Sequence, residues 1–206
     1  IDTNAATLRY NYVIPEGARG QSVSFTFSVT SSDGKTASYK MGPYTISKMS
    51  INRNLAVSNG VNAYISIEDM AVYNAAAAAA TPGKIDLVYL FRAAPTTFTH
   101  ALVSPAADAA YLPGVTLPAG LNRSTKLRKV FNLQDRNLAN LQFGIYVDDV
   151  DLINVDMVDM PNYAIGLRAE AGVWVETADK KYRAYIFVNS INAAGTAVIS
   201  MLRYTL

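Results

Sequence analysis

The sequence predicts a mainly β protein with a few short helices. Residues 21–30 alternate apolar and hydroxyl side chains with the period of two that is typical of a half-buried strand. Asp33-Gly34 follows and indicates a hairpin turn, because Gly accepts the positive φ that such turns need. Residues 172–204 hold three β-branched and aromatic runs separated by short turns, which is typical of an antiparallel meander.

The first 47 residues are predicted to form three antiparallel strands, over residues 8–13, 21–30 and 36–47. These strands leave Phe25 and Phe27 on one apolar face, and an immunoglobulin-like sandwich needs about seven strands to cover such a face. Either the remaining chain packs on it, or the strands are the end of a sandwich whose first half is missing. We favour the second interpretation, a partial immunoglobulin-like β-sandwich over residues 1–47.

Residues 48–206 are predicted to form a second, β-rich (α+β) domain. Residues 63–67 and 70–73 have the pattern of short extended segments. Asn74 is expected to cap a helix that runs to Ala80, because Asn is a strong N-cap and Ala the best helix former. Residues 84–92 are almost continuously apolar, which predicts a central strand that is buried on both faces.

The remainder of this domain is predicted to mix loop, helix and strand. The prolines and glycines of residues 93–123 predict a loop, with His100 on a short strand and a helical turn near residues 106–111. Leu127, Val130 and Phe131 have helical spacing, so residues 126–141 are predicted as a helix with a break near residues 132–135. Residues 172–177, 182–191 and 196–204 complete the domain as the meander.

Composition and charge restrict the class of protein. Half of the 206 residues are hydrophobic, so the chain can bury a substantial core. Lys and Arg (18) nearly balance Asp and Glu (16), which argues against nucleic acid as a partner. No apolar run reaches the roughly 18 residues of a membrane helix. Cys is absent, which excludes disulfides, thiol catalysis and Cys-based zinc sites.

Several segments of the chain together resemble one bacterial family. In the first part they are Leu8-Arg9-Tyr10-Asn11-Tyr12-Val13-Ile14-Pro15, Ser31-Ser32-Asp33-Gly34-Lys35 and Tyr44-Thr45-Ile46. In the second part they are Ala71-Val72-Tyr73, Lys84-Ile85-Asp86-Leu87-Val88-Tyr89, Ser104-Pro105, Val175-Glu176-Thr177-Ala178-Asp179-Lys180-Lys181-Tyr182 and Val188-Asn189-Ser190-Ile191. The first part resembles the last strands of the immunoglobulin-like (PKD-like) modules in surface lipoproteins of Bacteroides and relatives. The second part resembles the uncharacterised C-terminal domain of the same lipoproteins.

The resemblance implies a secreted or outer-membrane surface protein, lipid-anchored in its full-length form and linked to glycan or peptide uptake. The sequence departs from the family in two respects, since it has neither the lipidated Cys nor the first half of the immunoglobulin-like module. The chain also begins at Ile1, without a Met or a signal segment. We therefore expect a mature, trimmed or truncated product.

No enzymatic activity, catalytic residue or cofactor is predicted. A Ser-His-Asp site needs a His base, and His100 is the single His of the chain, without a nucleophile-elbow sequence beside it. Glu170 and Glu176 share strand parity, so a glycoside hydrolase stays open as a less favoured alternative. The separation of two such carboxylates depends on the fold and cannot be judged from sequence.

One acidic segment offers candidate metal ligands. Asp148, Asp149 and Asp151 could supply the carboxylate oxygens that calcium prefers. They lack the Gly and the spacing of an EF-hand loop, and apolar residues separate the acids that follow. We therefore favour a strand or loop edge whose acids face water, and no metal is predicted.

Aromatic residues are the remaining functional signal, with 13 Tyr and one Trp. Because sugar rings stack on aromatic faces, Trp174, Tyr111 and Tyr163 are the candidate ligand-binding residues, although Trp174 between two valines is also typical of a core. The sequence therefore predicts a non-enzymatic accessory protein that binds glycan or another cell-envelope protein. The alternative is a structural or assembly subunit that a partner strand completes. Membrane contact is expected only through a lipid anchor that is absent from this chain.

Overall fold

The computed structural model of the protein describes residues 10–15, 17–131 and 147–206. The chain divides into two compact units, Ile1–Lys48 and Met49–Leu206. Both units are built mainly from antiparallel strands, so the prediction of a mainly β protein is confirmed. None of the described helices is long and apolar enough to cross a membrane.

The first unit contains an amphipathic hairpin. Strands β1 (Ser22–Thr30) and β2 (Thr36–Thr45) pair antiparallel, and Gly34 in the turn between them has a φ of 80°. The predicted Asp33-Gly34 hairpin is therefore confirmed. On the polar face the Ser28 and Ser38 hydroxyls lie 2.7 Å apart. On the opposite face Phe27 lies directly across from Tyr39, as the alternation predicted.

The prediction of a third strand in this unit is wrong for its described part. Residues 10–15 join no sheet, and residues 8 and 9 lie outside the described residues. The rings of Tyr10 and Tyr12 instead stand edge-on to Phe25, with centroid distances of 6.5 and 5.1 Å. Side-chain contacts hold this segment on the apolar face of the hairpin. The alternation of aromatic and polar residues in it therefore does not lead to backbone pairing with a strand. The immunoglobulin-like assignment stays a prediction.

The described part of the second unit is a sandwich of two five-stranded antiparallel sheets. The strands of one sheet are β3 (Ser50–Ser58), β8 (Lys126–Val130), β10 (Gly172–Glu176), β11 (Tyr182–Ile191) and β12 (Thr196–Thr205), in the order β3-β12-β11-β10-β8. The strands of the other are β4 (Asn62–Ser66), β5 (Ala71–Asn74), β6 (Leu87–Arg92), β7 (Thr99–Val103) and β9 (Tyr163–Leu167), in the order β5-β4-β6-β7-β9. The predicted closing meander is confirmed as β10, β11 and β12.

The core has three layers because apolar residues cover both faces of each sheet. Leu87 and Tyr89 of β6 point into the main core between the sheets, together with Val175 and Ile186 of the other sheet. The intervening β6 residues point outward, where helix α1 (Ala75–Ala80) and the segment after β7 cover them. This double burial explains the nearly continuous apolar run of residues 84–92 and confirms the predicted central strand.

The Asn74 cap is confirmed in detail, since its side-chain oxygen accepts a hydrogen bond from the Ala77 N–H at 2.9 Å. Residues 93–123 contain the strand β7 around His100 and a 3-10 turn at Ala109–Tyr111, as predicted. The second helix, α2 (Asp149–Asn154), lies against the outer face of the other sheet.

Two predicted secondary structures are wrong. Residues 126–130 form strand β8 rather than a helix, because they pair with β10 and bury Leu127 completely in the main core. The rest of the predicted helix, residues 132–141, lies outside the described residues. The first part of the acidic segment, predicted as a strand or loop edge, forms α2 because Asp148 and Asp151 close a capping box that starts a helix. Asp156 and Asp159 after it lie in a loop and face water, as predicted.

Candidate functional site

An open groove lies at one end of the sandwich. The ends of β6, β8, β9 and β11 and the start of β7 border it, and its volume is about 830 Å³. Small-molecule sites in proteins usually enclose about 300–1,000 Å³. We call this feature the end groove. Its lining includes Phe91, Thr96, Thr97, His100, Lys129, Phe131 and Arg168.

Two aromatic rings form part of the groove wall. Phe91 is half-buried, with its ring centroid 4.7 Å from that of His100, and Gly195 lies behind it. A Cβ on Gly195 would come within 2.9 Å of the Phe91 ring, so glycine is needed for this close packing. Phe131 is 43% exposed. The groove therefore has one ring held by packing and one ring open to a ligand.

His100 lies at the floor of the groove as a buried, structural side chain. Its Nδ1 lies 2.6 Å from the Tyr89 hydroxyl, and the ring also hydrogen-bonds the backbone of Asn192. Burial lowers the pKa of His100 below its usual value, and the hydrogen bond with Asn192 offsets only part of this effect. The imidazole is therefore held between the Tyr89 hydroxyl and the Asn192 backbone. Among the described residues, neither a serine hydroxyl nor a carboxylate is bonded to it.

Two cationic side chains face the groove. The Lys129 ammonium donates a hydrogen bond to the Ile165 carbonyl at 2.5 Å and lies 5.2 Å from the centroid of the Phe131 ring. Partial burial lowers the pKa of Lys129, and the neighbouring Arg168 charge lowers it further. Arg168 is exposed. The described lining contains no Asp or Glu, so it carries an excess of positive charge.

The backbone beside these side chains is strained. Thr99 has a φ of 38°, which is a rare conformation for a β-branched residue, and Gly166 has a φ of 64°. The Gly166 N–H donates to the Phe98 carbonyl at 2.7 Å, and a Cβ on Gly166 would come within 2.9 Å of the Thr97 carbonyl oxygen. A left-handed conformation at a non-glycine residue such as Thr99 costs about 1–3 kcal/mol and is typical of functional sites, whereas Gly166 adopts its positive φ without this cost. Their position supports the end groove as the candidate site.

Comparison with known protein families gives two matches. A family model described as "Domain of unknown function (DUF8576)" matches residues 47–206, and "Domain of unknown function (DUF4466)" matches residues 1–46. The chain belongs to the DUF8576 family. The second unit is thus the DUF8576 domain, and the first corresponds to the DUF4466 match.

One solved structure matches the chain over its full length. The crystal structure of a DUF4466 family protein from Parabacteroides merdae is 44% identical, with a TM-score of 0.83, and the match covers 100% of this chain and 70% of that chain. A search of curated proteins found no match. These matches confirm the predicted relationship to uncharacterised proteins from relatives of Bacteroides.

The three aromatic candidates lie outside the lining of the end groove. Trp174 is only 7% exposed and packs on Tyr185 in the DUF8576 domain, with centroids 4.8 Å apart. Tyr111 and Tyr163 come together as a half-buried stacked pair, with centroids 3.5 Å apart and ring planes 14° from parallel. A hydrogen bond with Tyr163 raises the pKa of the Tyr111 hydroxyl. The pair covers the outer apolar cluster of one sheet.

The three candidate metal ligands serve as helix-capping residues. An Asp148 carboxylate oxygen accepts hydrogen bonds from the Val150 and Asp151 N–H groups, at 2.9 and 3.2 Å. The Asp151 carboxylate accepts from the Asp148 N–H at 3.1 Å, and Asp149 lies in the first turn, where the helix dipole favours a negative charge. The described part of the DUF8576 domain contains no group of three or more potential metal ligands.

The two carboxylates of the hydrolase alternative have different surroundings. Glu176 is 7% exposed, and its carboxylate forms an ion pair with Arg183 at 2.9 Å. Glu170 lies in the turn before β10 with a φ of 65°. Because Arg183 holds the Glu176 carboxylate, this residue is already engaged in a structural contact of the DUF8576 domain.

Sequence reasoning missed Phe91, Lys129, Phe131 and Arg168 as site residues. Lys129 and Phe131 were assigned to a helix, and Phe91 to a central strand without a functional role. The available signal was the alternation of Leu127 and Lys129, which places the ammonium on the core-facing side at the end of β8. Arg168 gave no local signal.

Proposed function

We propose that this protein is a non-enzymatic accessory protein that binds a glycan in the end groove. The observation that carries the proposal is the combination of an exposed Phe131 ring, threonine hydroxyls and two cations in one open groove. A sugar ring can stack on the phenyl face, while its hydroxyls bond with Thr96 and Thr97 at the rim. The amphipathic character of sugars matches such a mixed lining.

A binding role without turnover is supported by the chemistry of the lining. Glycoside hydrolysis usually requires two carboxyl groups about 5–9.5 Å apart, one on each side of the scissile bond. The described residues that line the groove include no carboxylate. His100 is buried and engaged on both sides, so it is poorly suited to proton transfer with a ligand.

We also propose that the protein works in secreted form or at the outer-membrane surface, lipid-anchored in its full-length form. The resemblance to Bacteroides surface lipoproteins supports this location, and the Parabacteroides merdae relative supports the bacterial group. The amphipathic hairpin β1–β2 would then belong to an immunoglobulin-like spacer. Its exposed apolar face is consistent with such a module.

A glycan array probed with the full chain tests the binding proposal. We expect bound glycans and, for Phe131→Ala, about tenfold weaker binding, because an aromatic stacking contact contributes about 1.5 kcal/mol. Tyr39→Ala is the matched control, since Tyr39 is 69% exposed but lies on the hairpin of the other unit. Absence of binding by the wild type, or equal binding by Phe131→Ala, would contradict the proposal.

A second candidate function is an assembly subunit, and the hairpin supports it. Among the described residues, β1 and β2 pair only with each other, and Val29 and Tyr39 at the distal end are 67% and 69% exposed. Two-stranded sheets are marginally stable and gain from a further partner. We propose a second copy as this partner. Sedimentation velocity should then show self-association that Tyr39→Lys weakens, and a monomer at all concentrations would exclude it.

A further inference from the structure

We infer that the end groove selects anionic glycans, whose carboxylate or sulfate group binds between Lys129 and Arg168. This inference rests on the proposed function and names the class of ligand. The two cations come from the edge strand of one sheet and from the end of the edge strand of the other, so the sandwich brings them to one groove.

The two charges lack a carboxylate partner within the described part of the chain. Lys129 is bonded to a backbone carbonyl, and no ion pair joins Arg168 to a described Asp or Glu. Some cations of the domain form ion pairs with acids, namely Lys84 with Asp69, Arg123 with Asp86 and Asp179, and Arg183 with Glu176, whereas Lys126 and Arg128 donate to backbone carbonyls as Lys129 does. Within the described residues, the groove therefore holds two positive charges that no carboxylate neutralises.

The neighbouring charges also repel each other, since the Arg168 charge makes Lys129 easier to deprotonate. An anion bound between them would relieve this repulsion. A guanidinium can hold a carboxylate or sulfate through two parallel hydrogen bonds, and an ammonium contributes a further charge-assisted bond. Both groups thus favour an acidic substituent over a hydroxyl at the same place.

The position of Phe131 indicates that the anionic group belongs to a sugar. The Lys129 ammonium lies over the Phe131 ring, 5.2 Å from its centroid, so a sugar that packs on the exposed part of the phenyl group lies beside the cation. A free inorganic anion would use the cations alone. The combined arrangement fits an acidic sugar residue better than either a neutral sugar or an isolated anion.

An array that pairs neutral glycans with their uronate, sialylated and sulfated counterparts tests the inference with the full chain. We expect the acidic member of at least one pair to bind about tenfold more tightly, with a preference that shrinks as salt is raised. Lys129→Gln and Arg168→Gln should each weaken the acidic glycan about fivefold. Arg128→Gln is the matched control, because Arg128 lies on the same strand with its side chain on the other face.

The outcomes separate the inference from the proposed function. Binding of neutral and acidic members with equal affinity, or binding that is insensitive to salt and to both substitutions, overturns the inference and leaves glycan binding intact. Binding of no glycan of either kind overturns both. The fluorescence of the buried Trp174 verifies that each variant is folded, because this is the single Trp of the chain.

Discussion

The buried hydrogen bond between Tyr89 and His100 should make a measurable contribution to stability. Tyr89 is 2% and His100 4% exposed, and the hydroxyl lies 2.6 Å from Nδ1. Tyr89→Phe keeps the ring in the main core and removes only the hydroxyl, which leaves the buried Nδ1 of His100 without this partner. Leaving a buried polar group unsatisfied costs about 1–3 kcal/mol, so we expect a loss of about 2 kcal/mol in the free energy of unfolding.

This loss corresponds to a fall of about 4–8 °C in the Tm of a domain of this size. Thermal unfolding followed by Trp174 fluorescence measures it, because Trp174 lies in the core of the DUF8576 domain and reports on that unit. Tyr73→Phe is the matched control. The Tyr73 hydroxyl donates to the Asp69 carboxylate at 2.9 Å at the surface, where its loss should change stability by less than about 0.5 kcal/mol. Equal shifts for both variants would refute the assigned role of the buried hydrogen bond.

Three further predictions follow from the contacts of the domain. Because the folded state lowers the pKa of His100, the contribution of this residue to the free energy of unfolding is present above pH 6.5 and is lost as the pH falls through the folded pKa. Denaturant titrations at several pH values should show this pH dependence in the wild type and not in His100→Gln. Burial raises the pKa of Asp86 to about 6, so the pH dependence has the opposite direction. The contribution of Asp86 to the free energy of unfolding is lost as the pH rises through 6, and Asp86→Asn should remove this dependence. Gly166→Ala should cost about 1–3 kcal/mol through a clash with Thr97, clearly more than Gly114→Ala, where φ is also positive but no atom lies within 4 Å.

Elements with a local signal could be predicted from the sequence. The Asn74 cap, the Asp33-Gly34 turn and the closing meander each depend on residues that are neighbours along the chain. Strand β8 depends instead on β10, which lies far away in sequence, and this pairing overrides the helix-like spacing of Leu127 and Val130. For α2 a local signal existed, because Asp148 and Asp151 have capping-box spacing, but the alternation of acidic and apolar residues was interpreted as a strand or loop edge.

The end groove could not be predicted, because its residues come from five strands and the segments next to them, spread between residues 91 and 193. Only the sheet order brings Phe91, Lys129 and Arg168 to the same end of the sandwich. The aromatic candidates illustrate the same difficulty. Trp174 faces the core and not solvent because α2 and its neighbours cover that face of the sheet, and nothing in the flanking valines reveals such a cover.

The groove is open because β8 and β9, the edge strands of the two sheets, lie side by side without joining into one sheet. Side chains of β8 satisfy backbone groups on the opposite strand and in the segment before it, since Lys129 donates to the Ile165 carbonyl and Lys126 to the Val158 carbonyl, each at 2.5 Å. Lysine on an edge strand also discourages pairing with another chain. The same ammonium therefore protects the edge and supplies positive charge to the groove, which would link the proposed recognition of an acidic ligand to the architecture of the sandwich.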